Sequence, residues 1–208
     1  MVSMKSDTRS RNEYFKSEDI YGYVKEYAKA IQESLARIPQ KQMIQAQNTI
    51  RMTLARSGRI FVGGNGGSAA IADHLKCDFE KGTTHDKTNN LIVHSLNGSM
   101  ATFSAIGNDL GYEKTLSYQL ELSRLTSKDC LILISSSGNS PNILDAAAYA
   151  KVRHADLIGL TGFDGGRLKE MADVKLHVPF NNYGIVEDCH QAIMHILAQF
   201  HYLSVNNV

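Results

Sequence analysis

Tryptophan is absent, and cysteine and proline are scarce, at three residues each in a chain of 208. Cys77, Cys130 and Cys189 are widely spaced and odd in number, which excludes a disulfide framework and a zinc-finger pattern. No local motif around any of them supports a catalytic thiol. A charge excess is missing too. The 22 Lys and Arg nearly balance 21 Asp and Glu, so no overall field draws the chain to nucleic acid or to an anionic membrane. No apolar run approaches the roughly 18–20 residues of a membrane span. Met1 to Lys16 is polar and lacks a signal-peptide core, so the expected compartment is the cytoplasm. What is present, 43% hydrophobic and 21% charged residues, suits a soluble globular protein with a substantial core.

Apolar periodicity predicts a polar tail over residues 1–17, then two helices, Ser17 to Arg37 and Lys41 to Ser57, separated at Pro39 and stopped at Gly58. From there strands and helices alternate. Strands are expected at Arg59–Val62, Leu91–Leu96, Cys130–Ile134, Leu157–Leu160 and Val174–Val178. Helices are expected at Ser68–Phe79, Ser99–Ile106, Glu113–Leu122, Asn142–Arg153, Arg167–Met171 and Val186–Leu203, with a polar loop over Lys81–Asn90. The strands are short and apolar without clean alternation, as when both faces are covered. This predicts a three-layer αβα sandwich on a five-stranded parallel sheet, with a helical preface over 18–57 and a core over 58–208. Ligands of such sheets bind beyond the C-terminal strand ends. There the unusual sequences gather: the glycine loop, a serine loop, Gly107-Asn108-Asp109 and Thr161-Gly162.

The glycine loop, Gly63-Gly64-Asn65-Gly66-Gly67-Ser68, sits between a strand and a helix. It reads as an anion cradle of backbone N–H groups at a helix N-terminus, with Ser68 as N-cap. Gly64-Asn65-Gly66-Gly67-Ser68-Ala69 also satisfies G-x-G-x-x-A, the dinucleotide fingerprint. That fingerprint needs a carboxylate at the end of the second strand, and His94-Ser95-Leu96-Asn97 has none; Glu80 and Asp86 precede the strand. No nucleotide cofactor is expected, and no Gly-Lys-Ser/Thr of a Walker loop follows. Ser135, Ser136, Ser137 and Ser140 form a second cradle after the third strand, with Pro141 opening the next helix and no Lys or Arg among them.

Taken together, Gly64–Ser68, Gly107–Asp109, Ser135–Ser140 and Leu160-Thr161-Gly162-Phe163-Asp164-Gly165-Gly166 resemble the sugar isomerase (SIS) domain, and within it the phosphoheptose isomerase group. The resemblance covers nearly the whole chain and implies a SIS, flavodoxin-like fold. It implies isomerisation of sedoheptulose 7-phosphate to D-glycero-D-manno-heptose 7-phosphate, for bacterial lipopolysaccharide. It puts the phosphate on Ser135, Ser137 and Ser140 with Ser136 alongside. Asn65, Gly66, Gly67 and Ser68 then become a wall for the sugar, and Asn108 and Asp109 touch substrate.

Moving a proton between adjacent carbons through an enediol needs an acid and a base. The family's histidine and glutamate after the glycine loop match His74 and Asp78, and its glutamine and essential histidine on the last helix match Glu187 and His195. Asp78 is the expected base and His195 the acid, or the reverse. His177, His190 and His201 are expected to pack or to support. Some family members bind zinc at the four positions matching His74, Asp78, Glu187 and His195, a chemically competent set. The resemblance also implies a homotetramer with sites between subunits. Three departures stand out: Asp78 for glutamate, Glu187 for glutamine, and Gly184 for an aspartate. They suggest a modified substrate or a divergent isomerase. The domain also occurs in a non-catalytic protein that binds the replication initiator, so a phosphosugar-sensing or partner-binding module is the alternative.

Overall fold

The computed structural model describes residues 15–82 and 91–206. Two helices, α1 (Ile20–Ala36) and α2 (Gln40–Ala55), precede β1 (Arg59–Gly64). Then follow α3 (Gly67–Cys77), a π turn (Asp78–Gly82), β2 (Ile92–Ser95), α4 (Met100–Asp109), a 3₁₀ turn (Tyr112–Lys114) and α5 (Ser117–Leu122). The chain closes with β3 (Cys130–Ser135), α6 (Pro141–Val152), β4 (Asp156–Thr161), α7 (Gly166–Met171), β5 (Val174–His177) and α8 (Tyr183–Asn206). Most of the tail (residues 1–14) and most of the loop expected at Lys81–Asn90 (83–90) lie outside the described residues.

All five strands are parallel, in the order β2-β1-β3-β4-β5. The order reverses direction between β1 and β3, so the loops leaving those two strands part and open a crevice. Both cradles are those loops. Register sets Val62 beside Ile132 and Ser135 beside Thr161, which brings the loop starts level.

Side-chain alternation sorts the sheet's residues between two cores even though both faces are dry. Ile60, Val62, Cys130, Ile132, Ile134, Ile158 and Leu160 meet α2, α3 and α8 on one face. Phe61, Leu131, Leu133 and Leu157 meet α5, α6 and α7 on the other. Complete burial of a Leu or Ile is worth about 1.5–3 kcal/mol each, so these layers fix where the loops emerge. At the opposite end of the sheet, buried Asp129 accepts from the Arg59 N–H and, at 2.8 Å, from its guanidinium. Among the described residues no helix is long and apolar enough to cross a membrane.

Several element ends differ from expectation. The left-handed residue after α2 is Ser57 (φ 54°), not Gly58. Gly107-Asn108-Asp109 is the last turn of α4 rather than a loop, and Ser99, accepting from the Thr102 N–H, is that helix's N-cap. The stretch expected as one helix over Glu113–Leu122 is a 3₁₀ turn and a separate α5. Position 66, not Ser68, caps α3: Gly66 takes φ 56° and ψ −124°, open only to glycine, and Ser68 lies inside the first turn. Nor does the tail run polar to residue 17. Phe15 is buried, its ring 4.9 Å from that of Tyr23 and 5.6 Å from that of Tyr27.

Candidate active site

The serine loop leaves β3 at a buried strand end. Ser135 and Ser136 are both buried, and the Ser136 hydroxyl has no hydrogen-bond partner among the described residues. The loop turns on itself: the Gly138 N–H reaches the Ser135 carbonyl at 3.0 Å and its hydroxyl at 3.2 Å. Asn139 pins the turn outward, donating to the Ser137 carbonyl and accepting from the Arg167 N–H. Ser140 stands at the N-cap of α6 but its side chain makes no capping bond. Its hydroxyl therefore stays available, at a helix N-terminus where the dipole favours an anion.

These serines line a cleft of about 140 Å³ together with Asn65, Ser68, Ile134, Tyr183 and Glu187. At about 30 Å³ per water that is room for about five waters, enough to admit a phosphate group. No Lys or Arg lines it. Hydroxyls and helix dipoles are what it offers an anion.

The glycine turn forms the facing wall. Gly67 has no side chain because Glu187 of α8 occupies the space, and a Cβ there would lie 2.4 Å from Glu187 Oε2. Burial, and secondarily Asp188, holds the Glu187 carboxyl above its ordinary range. Asn65 lines the cleft, but its amide is engaged. It pairs head to tail with Asn142 at 2.9 Å both ways, and Tyr112 donates to its Oδ1 at 2.8 Å. Asn97 clasps the Gly64 N–H and carbonyl at 3.0 Å each. Side-chain amides thus tie the glycine turn to α6 and to the end of β2.

A second polar centre lies further along α8. His195 Nδ1 is 3.0 Å from Asp78 Oδ2, and His74 Nε2 is 3.4 Å from Asp78 Oδ1. The two rings meet edge to face, with centroids 4.9 Å apart. Asp78 stands where α3 passes into the π turn, and buried Phe79 anchors that turn in the core. Helical spacing of four brings His74 to the same carboxylate. One partner was not foreseen: Gln191 Nε2 sits 2.9 Å from both His74 Nδ1 and His195 Nε2. The available signal was its place four residues before His195 and four after Glu187.

His74, Asp78 and His195 bring ligand atoms within 4.8 Å of one another. Two imidazoles and a carboxylate fit a divalent cation such as zinc with a position left open. Glu187 does not join them, so three of the four residues expected as a metal set converge. Its carboxylate stays at the serine cleft, over Gly67.

The remaining candidates divide. Asn108 donates to Asp109 at 2.7 Å on the exposed end of α4, and neither lines the cleft. His177 hydrogen-bonds Thr161 at 3.1 Å, and burial lowers its pKa. His190 is fully buried, neither ring nitrogen has a hydrogen-bond partner among the described residues, and burial holds its pKa down at about 4. His201 is buried against Phe79. Burial raises the Cys130 and Cys189 thiols, the latter to about 11, while Cys77 is exposed. At Gly184 a Cβ would approach the Tyr27 hydroxyl to 2.8 Å, and that hydroxyl donates to Asp188 at 2.7 Å.

Comparison with known proteins places these features in a family. A model described as SIS domain matches residues 24–162. The phosphoheptose isomerase of Aliarcobacter butzleri (strain RM4018) is 36% identical over 180 residues, covering 85% of this chain and 93% of that protein. That of Helicobacter pylori (strain ATCC 700392 / 26695) is 34% identical over 171 residues, covering 82% and 88%. Among solved structures, phosphoheptose isomerase GmhA from Neisseria gonorrhoeae matches with a TM-score of 0.79 at 30% identity, covering 88% of this chain and 96% of that one.

Proposed function

Because the chain belongs to the SIS-domain family of phosphoheptose isomerases, we propose that it interconverts sedoheptulose 7-phosphate and D-glycero-D-manno-heptose 7-phosphate, or close relatives, through an enediol. The observation that carries this reading is the arrangement along α8. Glu187 faces the serine cleft, and His195 with Asp78 lies two turns on. Eight residues rise about 12 Å, commensurate with an extended sugar phosphate held by its phosphate at one end and worked on at the other.

Ser135, Ser136, Ser137 and Ser140 hold the phosphate in this reading, and Ser136 supplies a hydroxyl that no group among the described residues uses. Gly66, Gly67 and Ser68 form the wall beside the sugar. Asn65 stiffens that wall through Asn142 and reaches substrate only at its edge. Glu187 contacts the sugar chain where the family resemblance leads one to expect a neutral amide, and burial there disfavours its charge. Asp78 takes the carbon proton and His195 serves the oxygens, or the reverse. Their 3.0 Å contact lets each set the other's orientation. Bound between His74, Asp78 and His195, zinc would polarise the substrate carbonyl.

The remaining parts are inferred from the family. Residues 18–208 act as one SIS domain in the cytoplasm, feeding lipopolysaccharide assembly. A homotetramer with sites between subunits gives Asn108 and Asp109, away from their own chain's cleft, a neighbour's substrate to meet.

The test is incubation with sedoheptulose 7-phosphate and a panel of ketose phosphates in deuterated water, with and without zinc. Isomerisation with deuterium uptake, lost in His195→Ala, is the expected result. Binding of phosphosugars with no exchange in any of them would overturn it in favour of a sensing module.

A further inference from the structure

His74, Asp78, His195 and Gln191 close a ring of polar contacts, and donor counting around it fixes more than the positions of the atoms. The Gln191 amide nitrogen has hydrogens and no available lone pair, so it can only donate. It lies 2.9 Å from one nitrogen of each imidazole, His74 Nδ1 and His195 Nε2. In neutral rings those two nitrogens must therefore be the acceptors. The ring protons then sit on His74 Nε2 and His195 Nδ1, the nitrogens that face the two oxygens of Asp78 at 3.4 and 3.0 Å. An ionised carboxylate only accepts. The His195 proton meets Asp78 in a hydrogen bond, and the His74 proton faces the same carboxylate across a longer 3.4 Å polar contact.

The same protons stand in the way of a cation. A metal beside Asp78 needs lone pairs on His74 Nε2 and His195 Nδ1, so each ring must release its proton there and take one from water at the opposite nitrogen. No net proton is exchanged. The two relocated N–H groups would then confront the Gln191 NH₂, donor against donor. A glutamine resolves this by exchanging the ends of its amide, so that Oε1 accepts from both rings. Carbonyl acceptors behind metal-bound histidines are the usual way such ligands are held.

We propose that Gln191 is a positioning residue matched to both states of the site. It presents its NH₂ to His74 and His195 in the metal-free protein, and its carbonyl oxygen to the same two rings when a divalent cation occupies the Asp78 side. A leucine could serve neither state, and a glutamate only the second. Spacing of four on α8 places Gln191 beside His195 by helix geometry alone. The loaded half rests on the metal reading above, and the metal-free half does not.

Imidazole nitrogen–proton correlation spectra test this, with the two rings assigned from His74→Asn and His195→Asn. The metal-free parent should show His74 protonated at Nε2 and His195 at Nδ1, and both should invert when zinc is added. In Gln191→Leu the metal-free preference is weakened, most at His74, because only Asp78 then holds it and its contact to His74 is the longer one. Zinc affinity, measured by chelator competition, falls about 10–100-fold, the range for removing such a partner. Gln191→Glu keeps zinc affinity while losing the metal-free pattern. Tautomers in Gln191→Leu identical to the parent's would overturn the positioning role. Zinc affinity within about threefold of the parent's in Gln191→Leu would overturn the loaded half. If the parent takes up no zinc, the loaded half and the metal reading fall together, and the metal-free spectra still decide the rest.

Discussion

Lowering the pH from 8 to 5 protonates an ordinary histidine and leaves His190 neutral. Its ring is fully buried on α8, packed where neither nitrogen finds a hydrogen-bond partner among the described residues. Burial is the main cause of its depressed pKa, and the neighbouring His177 adds to it; the Thr161 main chain opposes without a well-formed bond. In the unfolded chain the same ring titrates near 6.5. Between 6.5 and about 4 the unfolded state therefore holds a proton that the native state refuses. Stability from this group is complete above 6.5 and is lost as pH falls through that window. The whole window corresponds to roughly 3 kcal/mol, and the part crossed by pH 5 to about 2 kcal/mol. His190→Leu removes the titration while keeping an apolar side chain in the site. The assay is urea unfolding at pH 8 and at pH 5, at one fixed protein concentration. His201 and His94, also held low by burial, contribute alike to both proteins. The parent should lose about 2 kcal/mol more than His190→Leu between the two pH values. Parallel losses would show that His190 protonates within the fold, and the burial argument would be wrong.

Two further outcomes follow from the cleft. Glu187→Gln should raise thermal stability at pH 8 and not at pH 4. A carboxyl whose pKa is raised by burial favours folding below its unfolded value and loses that contribution as pH rises; melting curves at the two pH values check it. Ser136→Ala removes a buried hydroxyl with no partner among the described residues, so the fold should be unharmed. A hydrogen bond to a charged group is worth about 1.5–3 kcal/mol, so phosphosugar affinity measured by calorimetry should drop about 10–100-fold.

Much of the fold could be read from the residues, because four of the five strands end at Gly, Ser or Thr and each strand is followed by a helical pattern. The errors fall where local preference yields to tertiary contact. Gly107-Asn108-Asp109 looks like a loop, yet α4 runs through it. Ser68 has the chemistry of a cap, but the turn needed the backbone that Gly66 alone provides. At the site, the family resemblance is what singles out His74, Asp78 and His195, and spacing adds only that His74 and Asp78 share a helix face. Glu187, expected both to contact substrate and to join the metal set, lines the cleft and stands apart from the His74–Asp78–His195 cluster. Residues eight apart share a helix face but stand two turns from each other, so a common face is not a common point. Gln191 lies midway and was overlooked, since a glutamine on a helix carries no signal until its neighbours are known. The Asn65–Asn142 pair spans 77 positions and follows only from the crevice between β1 and β3.

At position 184 the family resemblance leads one to expect an aspartate, and α8 carries glycine. The gap is filled from elsewhere: the Tyr27 hydroxyl comes across from α1 and bonds Asp188 one turn further on. A polar group that α8 would have carried itself has become a loan from the N-terminal helix. Tyr27 in turn leans on Tyr23 and Phe15, so this margin of α8 is held by an aromatic stack rooted ahead of the first helix. Whatever shifts that stack will be felt by the helix that carries Glu187, Gln191 and His195. The preface is thereby part of the mounting of the site, and not merely its foundation.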